Sequence, residues 1–141
     1  MQGYQDALRD HGLQLDERYV VECTNDKLEI WKRLKEAFFE LKPDGVFASV
    51  ERLAIATYRF CQQEGIRIPD QIKVIGFSSL EIADLLNPGL STVTQPAFDM
   101  GELAASILFE SITQKRSQTE DRHIILDSMV IPRASSQVSR G

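Results

Sequence analysis

Three short clusters of small polar residues carry most of the binding chemistry in this sequence: Cys23-Thr24-Asn25, Ser49-Val50-Glu51 and Ser78-Ser79. Each follows a short apolar run of the kind that forms a strand. Hydroxyls and a carboxylate gathered at strand ends can hydrogen-bond a small polar ligand, helped by the free amides of the helices that start there. The same residues also have a purely structural use. Asn25, Ser49 and Ser79 can each accept from a free N–H of the following helix, an interaction worth about 0.5–2 kcal/mol. The two uses are compatible, because one residue of a cluster can cap while its neighbour faces the crevice.

Bond-making chemistry is not signalled. The sequence holds no GxGxxG, no GxxxxGK[ST] and no GxSxG, the patterns that cradle dinucleotides or triphosphates or raise a nucleophilic serine. Glu22, Glu51 and Glu81 fall near strand ends, where a pair of glycosidase carboxylates would stand. Glu22, however, precedes its strand end, and Glu51 and Glu81 fall in first helical turns, where an acid complements the helix dipole. His11 and His123 read as surface residues, and Trp31 as core on a helical stripe. Cys23 and Cys61 lie far apart, without CxxC or Cys/His ligand spacing, and read as two reduced structural thiols. No catalytic residue, metal site or cofactor is expected.

The elements that must position these clusters follow from periodicity. Gly3 to His11 reads as a helix closed by Gly12, where a residue without Cβ tolerates positive φ. Tyr19 to Cys23 is a short β-rich run. Apolar residues at 30, 31, 34, 37, 38 and 41 form a helical stripe ended by Lys42-Pro43-Asp44. Gly45 to Ala48 is a buried strand. Arg52 to Glu64 is a helix with Leu53, Ala56, Thr57, Phe60 and Cys61 inward, and Ile72 to Phe77 is a third strand. Strand starts recur after 26 and then 27 residues (19, 45, 72), the length of a βα unit. Such alternation predicts an α/β fold: a parallel sheet with helices on both faces. Leu80 to Leu86 reads as a short helix or turn, and Leu90 to Thr94 as extended. Phe98 to Thr113 is a helix with Met100, Leu103, Ala104, Ile107, Leu108 and Ile112 on one stripe. Residues 114–122 read as a polar loop, 123–131 as a strand region and 135–141 as a frayed tail.

Composition bounds the class. The chain has 141 residues, 43% hydrophobic and 26% charged, which suits one globular domain. A formal charge of −5 argues against gripping DNA unaided, since nucleic-acid-binding surfaces are basic. The amino terminus has no apolar signal core, and no apolar run reaches the ~18 residues that span a bilayer. A cytoplasmic protein is expected.

Five segments in order and at the right spacing resemble the lactose-repressor/galactose-repressor (LacI/GalR) family of transcription regulators. They are Gly3-Tyr4-Gln5-Asp6-Ala7-Leu8; Asp44-Gly45-Val46-Phe47-Ala48 continuing to Ala54; Ile68-Pro69-Asp70-Gln71-Ile72-Lys73-Val74-Ile75-Gly76-Phe77; Leu90-Ser91-Thr92-Val93-Thr94-Gln95-Pro96 with Met100-Gly101; and Val130-Ile131-Pro132-Arg133-Ala134-Ser135-Ser136. The resemblance implies a type I periplasmic-binding-protein-like core with an effector between two subdomains. Residues 1–95 would then belong to the C-terminal subdomain, 96–125 to a crossover segment of the N-terminal subdomain, and 126–141 to the return and tail. It implies effector contacts at Thr24, Val50, Glu51, Ser78 and Gln95, and a homodimer contact through Leu80, Ile82, Leu85 and Leu86 together with part of the helix from Arg52 to Glu64. Those leucines have a plainer reading as closure of the local core. The partners implied are a small molecule, such as a sugar or related metabolite, and operator DNA reached only through a helix-turn-helix domain with no counterpart in this stretch. No membrane is implied.

The sequence departs from the family pattern in the cleft. An Asn-Asp pair is replaced by Val50-Glu51, and an Asp after Gly-Phe by Ser78, whereas Gln95 is kept. Val50 cannot hydrogen-bond and Ser78 carries no charge, so common hexoses are expected to bind weakly. A solute-binding protein of a sugar transporter shares this fold and is the alternative reading. A small α/β enzyme is a third, which a strand-end nucleophile beside a base would favour.

Overall fold

The computed structural model describes residues 1–79, 82–113 and 123–137. Helix α1 spans Gln2–Asp10, α2 Lys27–Leu41, α3 Glu51–Glu64 and α4 Ala97–Thr113. Strands are β1 Gly45–Ala48, β2 Lys73–Phe77, β3 Ser91–Val93 and β4 Val130–Ile131, in the spatial order β1-β2-β3-β4. The first three pair in parallel, with Val46 opposite Val74 and Gly76 opposite Thr92. Strand β4 closes the sheet antiparallel to β3, with Val93 opposite Val130. The fold is therefore α/β with a mostly parallel sheet, as the βα rhythm predicts.

Helix α2 covers its stripe as read: Ile30 and Phe38 are buried, and Trp31, Leu34, Ala37 and Leu41 half-buried. It stops where Lys42 turns left-handed (φ 47°) ahead of Pro43. Helix α3 buries Ala54, Thr57, Phe60 and Cys61 and ends at Gly65, whose φ of 68° suits a residue without Cβ. The two helices meet edge-to-face through the ring of Phe60, 4.8 Å from Trp31 and 4.9 Å from Phe38. Ile72, Val74, Ala48, Ala83 and Leu90 complete this core from the sheet side.

Several expectations are corrected. Tyr19 to Cys23 joins no ladder among the described residues: Glu17–Tyr19 forms a 3-10 turn capped by Asp16, and no described strand pairs with the run after it. β-propensity is realised only where a neighbouring strand offers partners. Of residues 123–131, Val130–Ile131 pair as a strand and Met129 continues the pairing by one step, its carbonyl accepting from the Thr94 N–H at 2.8 Å; residues 123–128 pair with no described strand. The sheet is mixed, not wholly parallel. Ser135 and Ser136 are not frayed. The Ser135 hydroxyl, fully buried, accepts from the Ser91 N–H (2.8 Å) and donates to the Val74 carbonyl (2.5 Å). The Ser135 N–H and carbonyl bond to Gly89 and Val74, both at 2.9 Å. Arg133 adds bonds from its guanidinium to the Leu90 carbonyl (2.7 Å) and the Thr92 hydroxyl (3.1 Å). This clasp extends the sheet beyond β3 and fastens the end of the described chain to β2.

Helix α4 has the stripe that was read, but the stripe covers nothing. None of its residues is buried, and it packs against no other described element. Phe98 is 82% exposed, Phe109 67% and Ile112 64%.

Candidate functional site

Because β1, β2 and β3 run parallel, their carboxyl ends open on one rim, where loops of an α/β sheet gather ligands. Strand β1 delivers Ser49, Val50 and Glu51 there, β2 delivers Ser78 and Ser79, and β3 delivers Thr94 and Gln95. The ladder runs one step past the strands: the Ser78 N–H donates to the Val93 carbonyl at 2.9 Å.

Side chains then stitch the rim together. Ser78 is 1% exposed, and its hydroxyl donates to Glu51 Oε1 at 2.8 Å. The Ser79 hydroxyl donates to the Gln95 carbonyl (2.9 Å) and accepts from the Gln95 N–H (3.1 Å). Arg52 reaches back to the Thr24 carbonyl at 2.8 Å. The Thr24 hydroxyl donates to Glu29 and accepts from the Asp26 N–H at 3.3 Å. All five residues read as effector contacts thus stand on one connected rim, joined pairwise through their neighbours. Glu51 and Gln95 are exposed, and Val50, 41% exposed, adds an apolar patch beside them.

The capping expectations fail at two of three positions. Asp26, not Asn25, caps α2 by accepting from the Glu29 N–H at 2.8 Å. The signal was present as Asp26 with Glu29 three residues on, the spacing of a capping box. Helix α3 starts at Val50 with no side-chain cap, so Ser49 does not cap it. Ser79 spends its hydroxyl on Gln95; residues 80–81 lie outside the described ones, and residues 82–85 form turns, not the helix Ser79 was read to cap. Glu51 does lie in the first turn of α3, where its charge complements the helix dipole. Two roles were not legible: that Arg52 ties the Thr24 loop to α3, and that the Ser78 hydroxyl turns onto Glu51.

The thiols are not activated. Burial pushes the Cys23 thiol above its ordinary range, against a smaller pull from Arg52, and burial raises Cys61 to about 11. Among the described residues no group of three His, Cys, Asp or Glu is placed to hold a metal, and no helix is long and apolar enough to cross a membrane.

Of the residues read as dimer contacts, Ile82 (49%) and Leu85 (77%) are exposed in a run of turns, whereas Leu86 packs half-buried against the core. Leu80 and Glu81 lie outside the described residues. Tyr58 on α3 donates to the Pro88 carbonyl at 2.8 Å, tying these turns to α3.

Residues 1–136 match the periplasmic binding protein-like domain family. The ribose operon repressor of Haemophilus influenzae is 31% identical over 96% of this chain and 40% of its own length. The lactose operon repressor of Rhizobium radiobacter is 35% identical over 70% of this chain and 84% of its own. The transcriptional regulator CelR, solved in complex with cellobiose, superposes with a TM-score of 0.82 at 27% identity, over 96% of this chain and 41% of that one. The chain belongs to the LacI/GalR family. It corresponds to a C-terminal portion of the family's proteins. It spans about 40% of the length of its Haemophilus relative. These relatives carry the names of transcription regulators, not of enzymes.

Proposed function

We propose that this chain is the sensing and dimerising part of a LacI/GalR regulator, in which a sugar or related metabolite binds at the rim formed by Thr24, Val50, Glu51, Ser78 and Gln95. The rim is half of a cleft. Residues 1–95 form one wall, 96–125 cross to the opposite subdomain, and 126–141 return. The observation that carries this reading is the pairing of Glu51 with Ser78 and of Ser79 with Gln95, which joins three strand ends along one rim. The exposed apolar stripe of α4, packed against nothing described, supports the crossing at Gln95.

Ligand binding at such a rim changes the angle between subdomains only through unequal affinity for open and closed forms. A dimer built on Ile82, Leu85 and the adjoining face of α3 would pass that change to paired DNA-reading heads elsewhere in the whole protein, and so to their fit on operator half-sites. The work is done in the cytoplasm and makes or breaks no covalent bond. Relatives named for ribose, lactose and cellobiose support a sugar-like effector. With Ser78 already committed to Glu51 and Val50 unable to hydrogen-bond, the rim offers fewer polar contacts than a hexose needs.

Thermal denaturation across a panel of pentoses, hexoses, disaccharides and nucleosides tests this. One class is expected to raise the midpoint in a concentration-dependent way. The gain is expected to vanish in Glu51→Ala and Gln95→Ala and to persist in Ile82→Ala. A gain indifferent to Glu51 and Gln95 contradicts the assignment.

A further inference from the structure

We infer, on the reading of the rim as an effector site, that it selects a deoxy sugar: a saccharide ring that turns a methyl or bare methylene edge onto Val50. The sign of this is the way α3 begins. Val50 occupies the N-cap position of α3 in extended backbone (φ −146°, ψ 152°), with no side-chain hydrogen bond to the helix. Ser, Thr, Asp and Asn suit that position, and valine is among the poorest residues there. The chain thus forgoes a helix cap at the end of β1, although Ser49 stands one residue away. Breaches of a local rule gather at functional positions, where another requirement outweighs the lost stability.

That requirement is an apolar surface held still among polar neighbours. Glu51 accepts from the Ser78 hydroxyl at 2.8 Å, and Arg52 donates to the Thr24 carbonyl at 2.8 Å. The two residues after Val50 are thus anchored to two different loops. The Val50 carbonyl is engaged as well, accepting from the Leu53 and Ala54 N–H groups at 3.0 and 3.3 Å. What Val50 offers a ligand is therefore its isopropyl group, 41% exposed and stiff about χ1 because it branches at Cβ. A hydroxyl pressed against that group loses water and gains no partner, whereas a methyl or methylene gains apolar contact. Glu51 and Gln95, exposed on the same rim, remain to hydrogen-bond the hydroxyls that the ring keeps. Oxygen on one edge and hydrocarbon on another is the pattern of a deoxy sugar. One hydroxyl or methylene against an apolar surface discriminates by about tenfold to a hundredfold, and a half-open surface stands at the lower end.

Amide chemical shifts of the 141-residue chain, titrated with matched sugar pairs, test this. The pairs are D-galactose against D-fucose, L-mannose against L-rhamnose, and ribose against deoxyribose. In at least one pair the deoxy member is expected to bind about tenfold tighter, with shifts at Val50, Glu51 and Gln95. Val50→Ser removes both methyls and supplies the missing cap. It is expected to raise the urea midpoint, and to bring the members of that pair within about threefold of each other. Equal binding within every pair, or tighter binding of the fully hydroxylated members, with shifts still gathered at Glu51 and Gln95, overturns the inference and leaves the effector reading standing. A deoxy preference that survives Val50→Ser also overturns it. Shifts gathered on another surface, or no saturable shift with any of the six sugars, overturn the effector reading and this inference together.

Discussion

A hydroxyl in this molecule is worth what its partners make of it, and the serines illustrate the range. Ser78 and Ser135 are both buried, yet one faces a carboxylate on the rim and the other joins two backbone groups inside the sheet. Removing the Ser135 hydroxyl strands the Ser91 N–H and withdraws a donor from the Val74 carbonyl. Ser135→Ala is expected to cost about 2–3 kcal/mol in urea denaturation, the usual cost of leaving a buried polar group unmet. The motif that contains it, Pro132-Arg133-Ala134-Ser135-Ser136, was legible as a family resemblance. Its task was not, because a serine near a chain end reads as solvated until the strand beside it is known. Ser78 was legible as a strand-end residue, but its turn onto Glu51 required the parallel register of β1 and β2, which brings positions 51 and 78 together across 27 residues of sequence.

The elements follow local rules where their neighbours are local. Helix α2 is set by its stripe, by Asp26 at its start and by Lys42 and Pro43 at its end. Asp26→Ala is expected to destabilise by about 1 kcal/mol, the worth of an N-cap. Ser49→Ala is expected to stay within about 0.5 kcal/mol, as for a surface position without a special partner. Urea midpoints of the two variants separate the observed cap from the expected one. The three helices α1, α2 and α3, β1 and β2 were all readable to within a residue or two, because periodicity and stop residues agree there. Tyr19 to Cys23 was misread for the opposite reason. A strand is a relation between two chains of backbone, and the run carries composition without a described partner. Residues 123–128 fail in the same way: the apolar pattern is present, but pairing begins only at Met129.

Across the molecule, the core is closely packed and α4 packs against no other described element. Phe60 is fully buried and joins α2 to α3, whereas Phe109 is two-thirds exposed on a helix that touches no other described element. Phe60→Ala is expected to cost about 3–5 kcal/mol. Phe109→Lys is expected to leave the unfolding midpoint unchanged and to lower self-association, since it breaks an exposed apolar patch. The amphipathic pattern of α4 was plain in the sequence; that its apolar face would stand open was not, because periodicity shows which face seeks cover and not what supplies it. The rim was legible in outline for a related reason: strand ends converge in any parallel sheet, but which side chains bond across the rim depends on register and rotamer.

The central claim is that this rim receives a small molecule. Backbone amide chemical shifts of the 141-residue chain, followed during titration with pentoses, hexoses and disaccharides, report on it directly. The account predicts saturable shifts gathered at Thr24, Val50 to Arg52, Ser78, Ser79 and Gln95, and absent in Glu51→Ala. Saturable shifts gathered elsewhere on the chain, or conversion of the titrant to product, would contradict it.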